Sequence, residues 1–275
     1  MSTQPNTMLI TGATHGLGRA LALRLAGPDT LLVLHGRDAG RAAEVRDEVR
    51  AAGGRAEVLL ADLADLREVD RLADAVLDGF ERLDVLVNNA GIGTGAPGAP
   101  RRQNADGVEL RFAVNYLAGY RLADRLLPRL TGTAGRIVNV ASAGQHPIDF
   151  TDPQLLAHYD GGRAYCQAKL AQIIHAFDLA ERLTAAGSPV TVNALHPATY
   201  MPTGMVLESG VTPVSTIEEG TTATLALVTG DPGTRTGRYY NGLREAHPHR
   251  QAYDPAARAQ LRELSAGLVR AVLGT

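Results

Sequence analysis

A doubly wound α/β domain with a largely parallel sheet is the fold class this sequence predicts, and three observations carry the prediction. Six short apolar runs lack the alternation of a half-exposed strand: Met8–Ile10, Leu31–Leu34, Val58–Leu60, Val85–Val87, Ile137–Val140 and Val190–Leu195. Runs of this kind suit strands covered on both faces. Longer stretches of helical period separate them, and a glycine-rich turn marks the first strand–helix junction.

Taken in order, the first strand is Met8–Ile10, followed by a helix over Leu17–Ala26 in which Leu17, Leu21 and Leu25 recur every four residues. The strand at Leu31–Leu34 leads into a helix over Arg41–Ala52, and the strand at Val58–Leu60 into one over Leu66–Phe80. After the fourth and fifth strands come long helical patterns over Val108–Leu130 and Ala164–Ala185, and a helical tail closes the chain over 254–273. No linker, repeat or low-complexity tract divides the 275 residues, so 1–275 reads as one domain. Three stretches break the alternation: Ile92–Gln103, Ala143–Gly162 and Pro197–Ser215, each rich in Gly or Pro. All three leave the carboxyl ends of strands, where open α/β sheets bind ligands, so they are the expected walls of a substrate pocket, with 197–215 as its loop.

Composition narrows the function classes. Lys plus Arg (27) nearly balance Asp plus Glu (29), a net charge of −2 that speaks against a polyanion-wrapping surface. One cysteine, Cys166, excludes a disulfide within the chain and a multi-Cys zinc site. No run reaches the roughly 18 apolar residues of a membrane span, and Met1–Thr7 is polar rather than signal-like. A cytoplasmic protein with no membrane and no nucleic-acid partner is the expectation.

The turn Thr11-Gly12-Ala13-Thr14-His15-Gly16-Leu17-Gly18 opens the first helix. Gly12 suits the tight turn, Gly16 lets backbone approach a pyrophosphate, and Gly18 lets helix pack on strand. The helix N-terminus offers N–H groups and the positive end of its dipole to phosphates. NAD binders place a carboxylate about 20 residues on, at the ribose 2′-hydroxyl. This chain has Arg37 there, whose guanidinium matches a 2′-phosphate, with His15 positioned to assist. The cofactor expected is NADP(H) in preference to NAD(H). A plain alternative makes Arg37 a solvated first-turn residue and Asp38 a helix N-cap.

Together with Asp62-Leu63 after the third strand, Asn88-Asn89-Ala90-Gly91 after the fourth, Asn115, Ser142 and Tyr165-x-x-x-Lys169, this pattern resembles the short-chain dehydrogenase/reductase family over roughly residues 7 to 242. The Ser142-to-Tyr165 gap and the string Ala164–Ala171 look most like its retinol-dehydrogenase-like branch, whose frequent N-terminal membrane anchor is not seen here; the branch's substrate label is therefore not carried over. The resemblance implies a Rossmann fold and an alcohol/carbonyl oxidoreductase. Tyr165 would be the acid/base, Ser142 a hydrogen bond to the carbonyl oxygen, Lys169 a ribose contact, and Asn115 the holder of a relay water. It also implies cofactor contacts from Gly12, Thr14, His15, Gly16, Leu17, Gly18, Asp62 (adenine), Leu63, Asn89, Ala90, Gly91, Tyr165, Lys169 and Pro197. Ala198 stands where the family usually has Gly, and either Thr199 or Thr203 is the threonine expected beside the cofactor. A homodimer or homotetramer through the helices Val108–Leu130 and Ala164–Ala185 is implied as well.

The residues make chemical sense without the family. Tyr165 and Lys169 are four apart on a helix and share a face. A phenol titrating near 10 is a poor acid/base at neutrality, and a neighbouring ammonium is expected to lower that pKa. Two other readings fit the fold: a nucleotide-binding regulatory protein without turnover, for which a phenol–ammonium pair serves no purpose, and an epimerase or dehydratase with transient redox. Asp62 also fits a helix N-cap. His247 and His249 read as loop surface and Cys166 as a packed thiol. Arg101-Arg102 is either solvated or meets an anionic substrate, and His146, Tyr159 and Tyr200 lie on the pocket loops.

Overall fold

The computed structural model describes residues 6–274. Its eight-stranded sheet runs in the order β3-β2-β1-β4-β5-β6-β7-β8, built from β1 (Asn6–Ile10), β2 (Thr30–Gly36), β3 (Arg55–Leu60), β4 (Val85–Asn88), β5 (Arg136–Val140), β6 (Thr191–His196), β7 (Arg238–Asn241) and β8 (Arg244–Ala246). Seven strands are parallel, and β8 alone turns back antiparallel on β7. The six apolar runs fall in β1 to β6. Met8 pairs with both Leu32 of β2 and Val85 of β4, so the strand order reverses beside β1, the switch point at which open sheets bind ligands.

Helices α1 (Gly16–Leu25), α2 (Ala39–Ala51) and α7 (Ile217–Val228) cover one face. There Leu17, Leu21, Val45, Val49 and Leu227 join Ile10, Leu34 and Val87 in one core. Helices α3 (Leu66–Gly79), α4 (Ala118–Thr131), α5 (Gly161–Ala185) and α8 (Pro255–Leu273) cover the other, around Leu9, Leu86 and Ile137. Short α6 (Gly204–Glu208) lies in the loop after β6. Asp38, Asp65, Asp160, Thr216 and Asp254 each accept a backbone N–H at the start of α2, α3, α5, α7 and α8.

One expectation changes. The helical pattern over Val108–Leu130 is not one α-helix: Phe112–Leu117 is a π-helical turn that runs into α4. Such turns leave the apolar stripe almost intact, so residue spacing does not announce them. Within the stretch Ala164–Ala185, every residue from Gln167 to Ala180 is buried within one chain, whereas Glu181, Arg182, Thr184 and Ala185 are exposed. The chain's own α8 lies along α5: Tyr116 and Ser265 share a buried 2.6 Å hydrogen bond, Arg262 is paired with Asp178, and Arg258 bonds Glu181 at 2.6 Å. Among the described residues, no helix is long and apolar enough to cross a membrane.

Candidate active site

The carboxyl ends of β1 to β6 carry the candidate residues to one rim of the sheet. After β1 the glycine turn is fixed by crowding. Gly12 (φ 66°) and Gly16 (φ 54°) both take the left-handed conformation, and a Cβ on Gly12 would come within 2.9 Å of the Ala90 backbone. A side chain on Gly18 would overlap the Gly12 carbonyl, which is why strand and helix approach so closely here. His15 occupies the N-cap position of α1 without a side-chain cap, and the first turn holds no acid. Its ring Nδ1 lies 3.2 Å from the Thr14 hydroxyl. The N-terminus of α1 is thus open where α2, α3, α5, α7 and α8 are closed by their own side chains.

Remote residues that local sequence does not reveal hold this turn in place. Buried His35, on β2, accepts from the Gly12 N–H at Nδ1 (3.2 Å), and its Nε2 lies 3.0 Å from the Ala61 carbonyl oxygen. Burial pushes its pKa down, which keeps the ring neutral, with Nε2–H the donor to Ala61. Asn89 donates to the carbonyls of Thr11 (2.8 Å) and Gly12 (3.1 Å), and the Thr11 hydroxyl accepts from the N–H groups of Asn89 and Ala90. The Asn89 side chain is therefore spent on the turn itself. Asn88 likewise donates to Asn139 across β4 and β5 (3.0 Å).

Arg37 follows β2, and its guanidinium is 68% exposed, 3.9 Å from the carboxylate of Asp62 at the end of β3. It precedes the N-cap Asp38 rather than lying in the first turn of α2. Asp62 accepts from Ala64 N–H within its own turn, whereas the cap of α3 is Asp65. Leu17 and Leu63 are core residues, leaving only their backbone for a ligand.

Across the switch point, Ser142 follows β5 and Tyr165 and Lys169 lie in α5. Lys169 is 3% exposed; its ammonium donates to the Val140 carbonyl at 2.8 Å and sits 5.8 Å from the Tyr165 ring centre. Asn115, in the π turn, accepts from Ile92 N–H (2.8 Å) and donates to Ile92 C=O (3.0 Å). A Cβ on Gly91 would lie 3.3 Å from Asn115 Oδ1 and 3.5 Å from Lys169 Nζ, so these three meet at one point. The Ser142 hydroxyl accepts from Gly144 N–H at 3.0 Å, and its carbonyl is gripped by Tyr239 (3.0 Å) and Gln145 (3.1 Å). Neither anchor was visible in the motif.

The electrostatics differ from the simple expectation. Burial raises the pKa of Tyr165, and a hydrogen bond from Ser142 pulls the other way without overcoming it. Burial pushes Lys169 down to about 7. Burial is the leading cause of both shifts and favours the uncharged form of each group. At neutral pH the phenol is held protonated.

The loop after β6 lies over the glycine turn. His196, buried, has Nε2 2.9 Å from the hydroxyl of Thr199, which is otherwise exposed. Thr203 reaches Gly16, its Cγ2 3.2 Å from where a Cβ there would sit, and Met205 packs on Gly93. Of the remaining candidates, Tyr159 bonds Glu109 (3.1 Å) and Arg111. Arg101 ties its own loop to the loop after β5, donating to the Gln154 carbonyl at 2.9 Å and to the Gln103 side chain at 2.6 Å, while Arg102 is exposed. His247 and His249 bond Tyr253 and the Gln251 N–H. Cys166 is half-buried, with its thiol pKa raised by burial. Tyr200 is half exposed on the loop after β6, with φ 48°.

A protein family described as short chain dehydrogenase matches residues 6–211. Retinol dehydrogenase 13 of Mus musculus is 36% identical over 291 residues, covering 96% of this chain and 83% of its own. The crystal structure of an uncharacterised protein from Mycobacterium paratuberculosis has a TM-score of 0.81 at 32% identity, covering 98% of this chain and 95% of that one. The landomycin C-6 ketoreductase LanV, solved with NADP and rabelomycin, has a TM-score of 0.67 at 26% identity and covers 87% and 95%. Fold and site together define the class: an oxidoreductase built on a dinucleotide-binding sheet. More particularly, the chain belongs to the short-chain dehydrogenase family, in its retinol-dehydrogenase-like branch. Members of the family bind a nicotinamide cofactor and act on alcohols and carbonyls.

Proposed function

We propose that this chain is an NADP(H)-dependent reductase or dehydrogenase interconverting a small-molecule alcohol and its aldehyde or ketone, with Tyr165 as general acid/base. The observation that carries the proposal is Tyr165 itself: a half-buried phenol, hydrogen-bonded to Ser142, with the buried Lys169 ammonium 5.8 Å from its ring.

The residues fit a nicotinamide dinucleotide. The open N-terminus of α1 and the left-handed Gly16 leave backbone N–H groups for a pyrophosphate. Arg37 supplies an exposed guanidinium for a 2′-phosphate, with His15 and Thr14 on the same turn and Thr203 above it. Asp62 takes the adenine end, Asn89, Ala90 and Gly91 flank the cofactor from β4, and Lys169 holds the nicotinamide ribose. Pro197 borders the carboxamide, and Thr203 suits the threonine contact better than Thr199, which is engaged with His196. When bound, the cofactor supplies or accepts the hydride.

The protein's own part is proton handling and orientation. Ser142 directs the substrate oxygen toward Tyr165, and its carbonyl is fixed by Tyr239 and Gln145, so the hydroxyl has little freedom to turn away. Tyr165, held protonated, is in the form that delivers a proton to a carbonyl oxygen as negative charge develops there. Lys169 stabilises the phenolate left behind, and its charge state near neutrality makes it responsive to an anion brought beside it. The loops 92–103, 143–162 and 197–215 wall the substrate side. We place the protein in the cytoplasm, with no nucleic-acid or membrane partner.

The test is NADPH oxidation against a panel of aldehydes, ketones and quinones, with NADH in parallel. Turnover with NADPH well above that with NADH supports the proposal. Equal dissociation constants for the two cofactors would sink the NADP assignment, and no oxidation across the panel would sink the redox function.

A further inference from the structure

We infer that Glu109, Arg111 and Tyr159 form a buried positioning cluster that sets the distance between the β4 loop and the N-terminal end of α5, and so between the Asn115–Ile92 pair and Tyr165; the catalytic consequence rests on the function proposed above. Glu109 and Arg111 are 2% and 6% exposed. Two charges taken that far from water are costly, and apolar side chains of similar size would serve stability as well or better. What the pair provides is directional holding.

The guanidinium is spent on three separate elements. Its Nε donates to the Gly93 carbonyl at 2.8 Å and one Nη to the Thr94 carbonyl at 2.6 Å, both in the loop after β4. The other Nη donates to Glu109 at 3.3 Å and to the Tyr159 hydroxyl. Tyr159 in turn donates to Glu109 at 3.1 Å, and the second Glu109 oxygen accepts from Phe112 N–H at 2.8 Å, where the π turn begins. Four residues after Arg111, Asn115 clamps Ile92 through both ends of its amide. One turn of chain therefore grips the tripeptide Ile92-Gly93-Thr94 twice, and Gly91 beside it is the point where Asn115 and Lys169 meet.

Tyr159 ties the same cluster to α5. It stands one residue before the N-cap Asp160 and six before Tyr165, and Gly161 packs directly on the Thr94 carbonyl with no room for a side chain. A shift of the β4 loop is thus passed to the helix carrying Tyr165 by two routes, the Gly161 contact and the Tyr159 hydroxyl, of which the hydroxyl is the directional one. Their proposed role is positioning: they act through Asn115 and Tyr165.

Tyr159→Phe removes that hydroxyl and keeps the ring. Amide hydrogen exchange of the unmodified protein and of this variant is the first readout. Exchange at Ile92 and at Arg163 and Ala164, whose N–H groups bond Asn115 and Asp160, should quicken together by about tenfold, the scale of one lost charge-assisted hydrogen bond, with β2 unchanged. Single-turnover hydride transfer is the second: its rate constant should fall about tenfold while KM and NADPH affinity stay within twofold, a split that partial unfolding would not give because it lowers amplitude instead. Quickened exchange confined to residues 157–164, or a hydride-transfer constant within twofold of the unmodified protein's, would overturn the inference. Coupled exchange in a chain that reduces no carbonyl would support the cluster and overturn the functional reading instead.

Discussion

Lys169→Met should stabilise the cofactor-free protein at neutral pH while abolishing turnover. The ammonium is 3% exposed, with one hydrogen bond, to the Val140 carbonyl at 2.8 Å. Burial drops its pKa from 10.5 to about 7. At about 1.4 kcal/mol per tenfold in proton affinity this is a penalty of about 5 kcal/mol on the charged folded state, as an upper bound. The sign follows from proton binding. Between about pH 7 and pH 10.5 the unfolded chain holds the proton that the folded chain has released, so stability climbs with pH across that window. Below it both states are protonated and the full penalty applies. Methionine fills a similar volume without charge but leaves the Val140 carbonyl unpaired, which costs about 1–3 kcal/mol. The net gain at or below neutrality is then about 2–4 kcal/mol, a melting temperature higher by on the order of 5–10 °C, and it turns into a loss of about 1–3 kcal/mol at the alkaline end, where only the unpaired carbonyl counts. Thermal melts of the two proteins from about pH 6 to pH 10 measure it. A variant less stable than the unmodified protein at about pH 6, with a parallel pH dependence, would refute the argument that a strained, desolvated ammonium sits at this site.

Two further outcomes follow from other parts of the molecule. Arg37→Asp should erase or reverse a preference for NADPH over NADH in a cofactor titration, because a carboxylate beside Asp62 repels a 2′-phosphate and accepts from a 2′-hydroxyl. Ser265→Ala should cost about 1–3 kcal/mol in urea unfolding, since it leaves the Tyr116 hydroxyl buried between α5 and α8 without its acceptor; no change would mean that α8 is only loosely docked.

Much of the sheet was legible because parallel strands covered on both faces need continuous apolar sequence, as in Leu31–Leu34. What escaped has physical reasons. Strands β7 and β8 are short and polar, with Tyr239 and Tyr240 their buried residues. Helix α7 escaped because its start is marked by the Thr216–Glu219 capping box rather than by an apolar stripe. In the site, Tyr165, Lys169 and the glycine turn stand out by local spacing, and Ser142 and Asn115 through the family resemblance. Their supports do not: His35 under Gly12, Tyr239 behind Ser142 and Arg111 on Gly93 come from distant elements. Only strand register brings them together. The direction of the Tyr165 pKa shift was likewise hidden, because spacing reveals a neighbouring charge but not how deeply both groups lie.

Single-turnover hydride transfer from NADPH by Tyr165→Phe tests the central claim most directly. The substitution keeps the ring in its packing and removes the proton held between Ser142 and the substrate oxygen. The rate constant should fall by about 10²–10⁴, with NADPH affinity little changed because Lys169 and the glycine turn remain. A rate constant near that of the unmodified protein would mean that the proton comes from another group and that Tyr165 is not the acid/base.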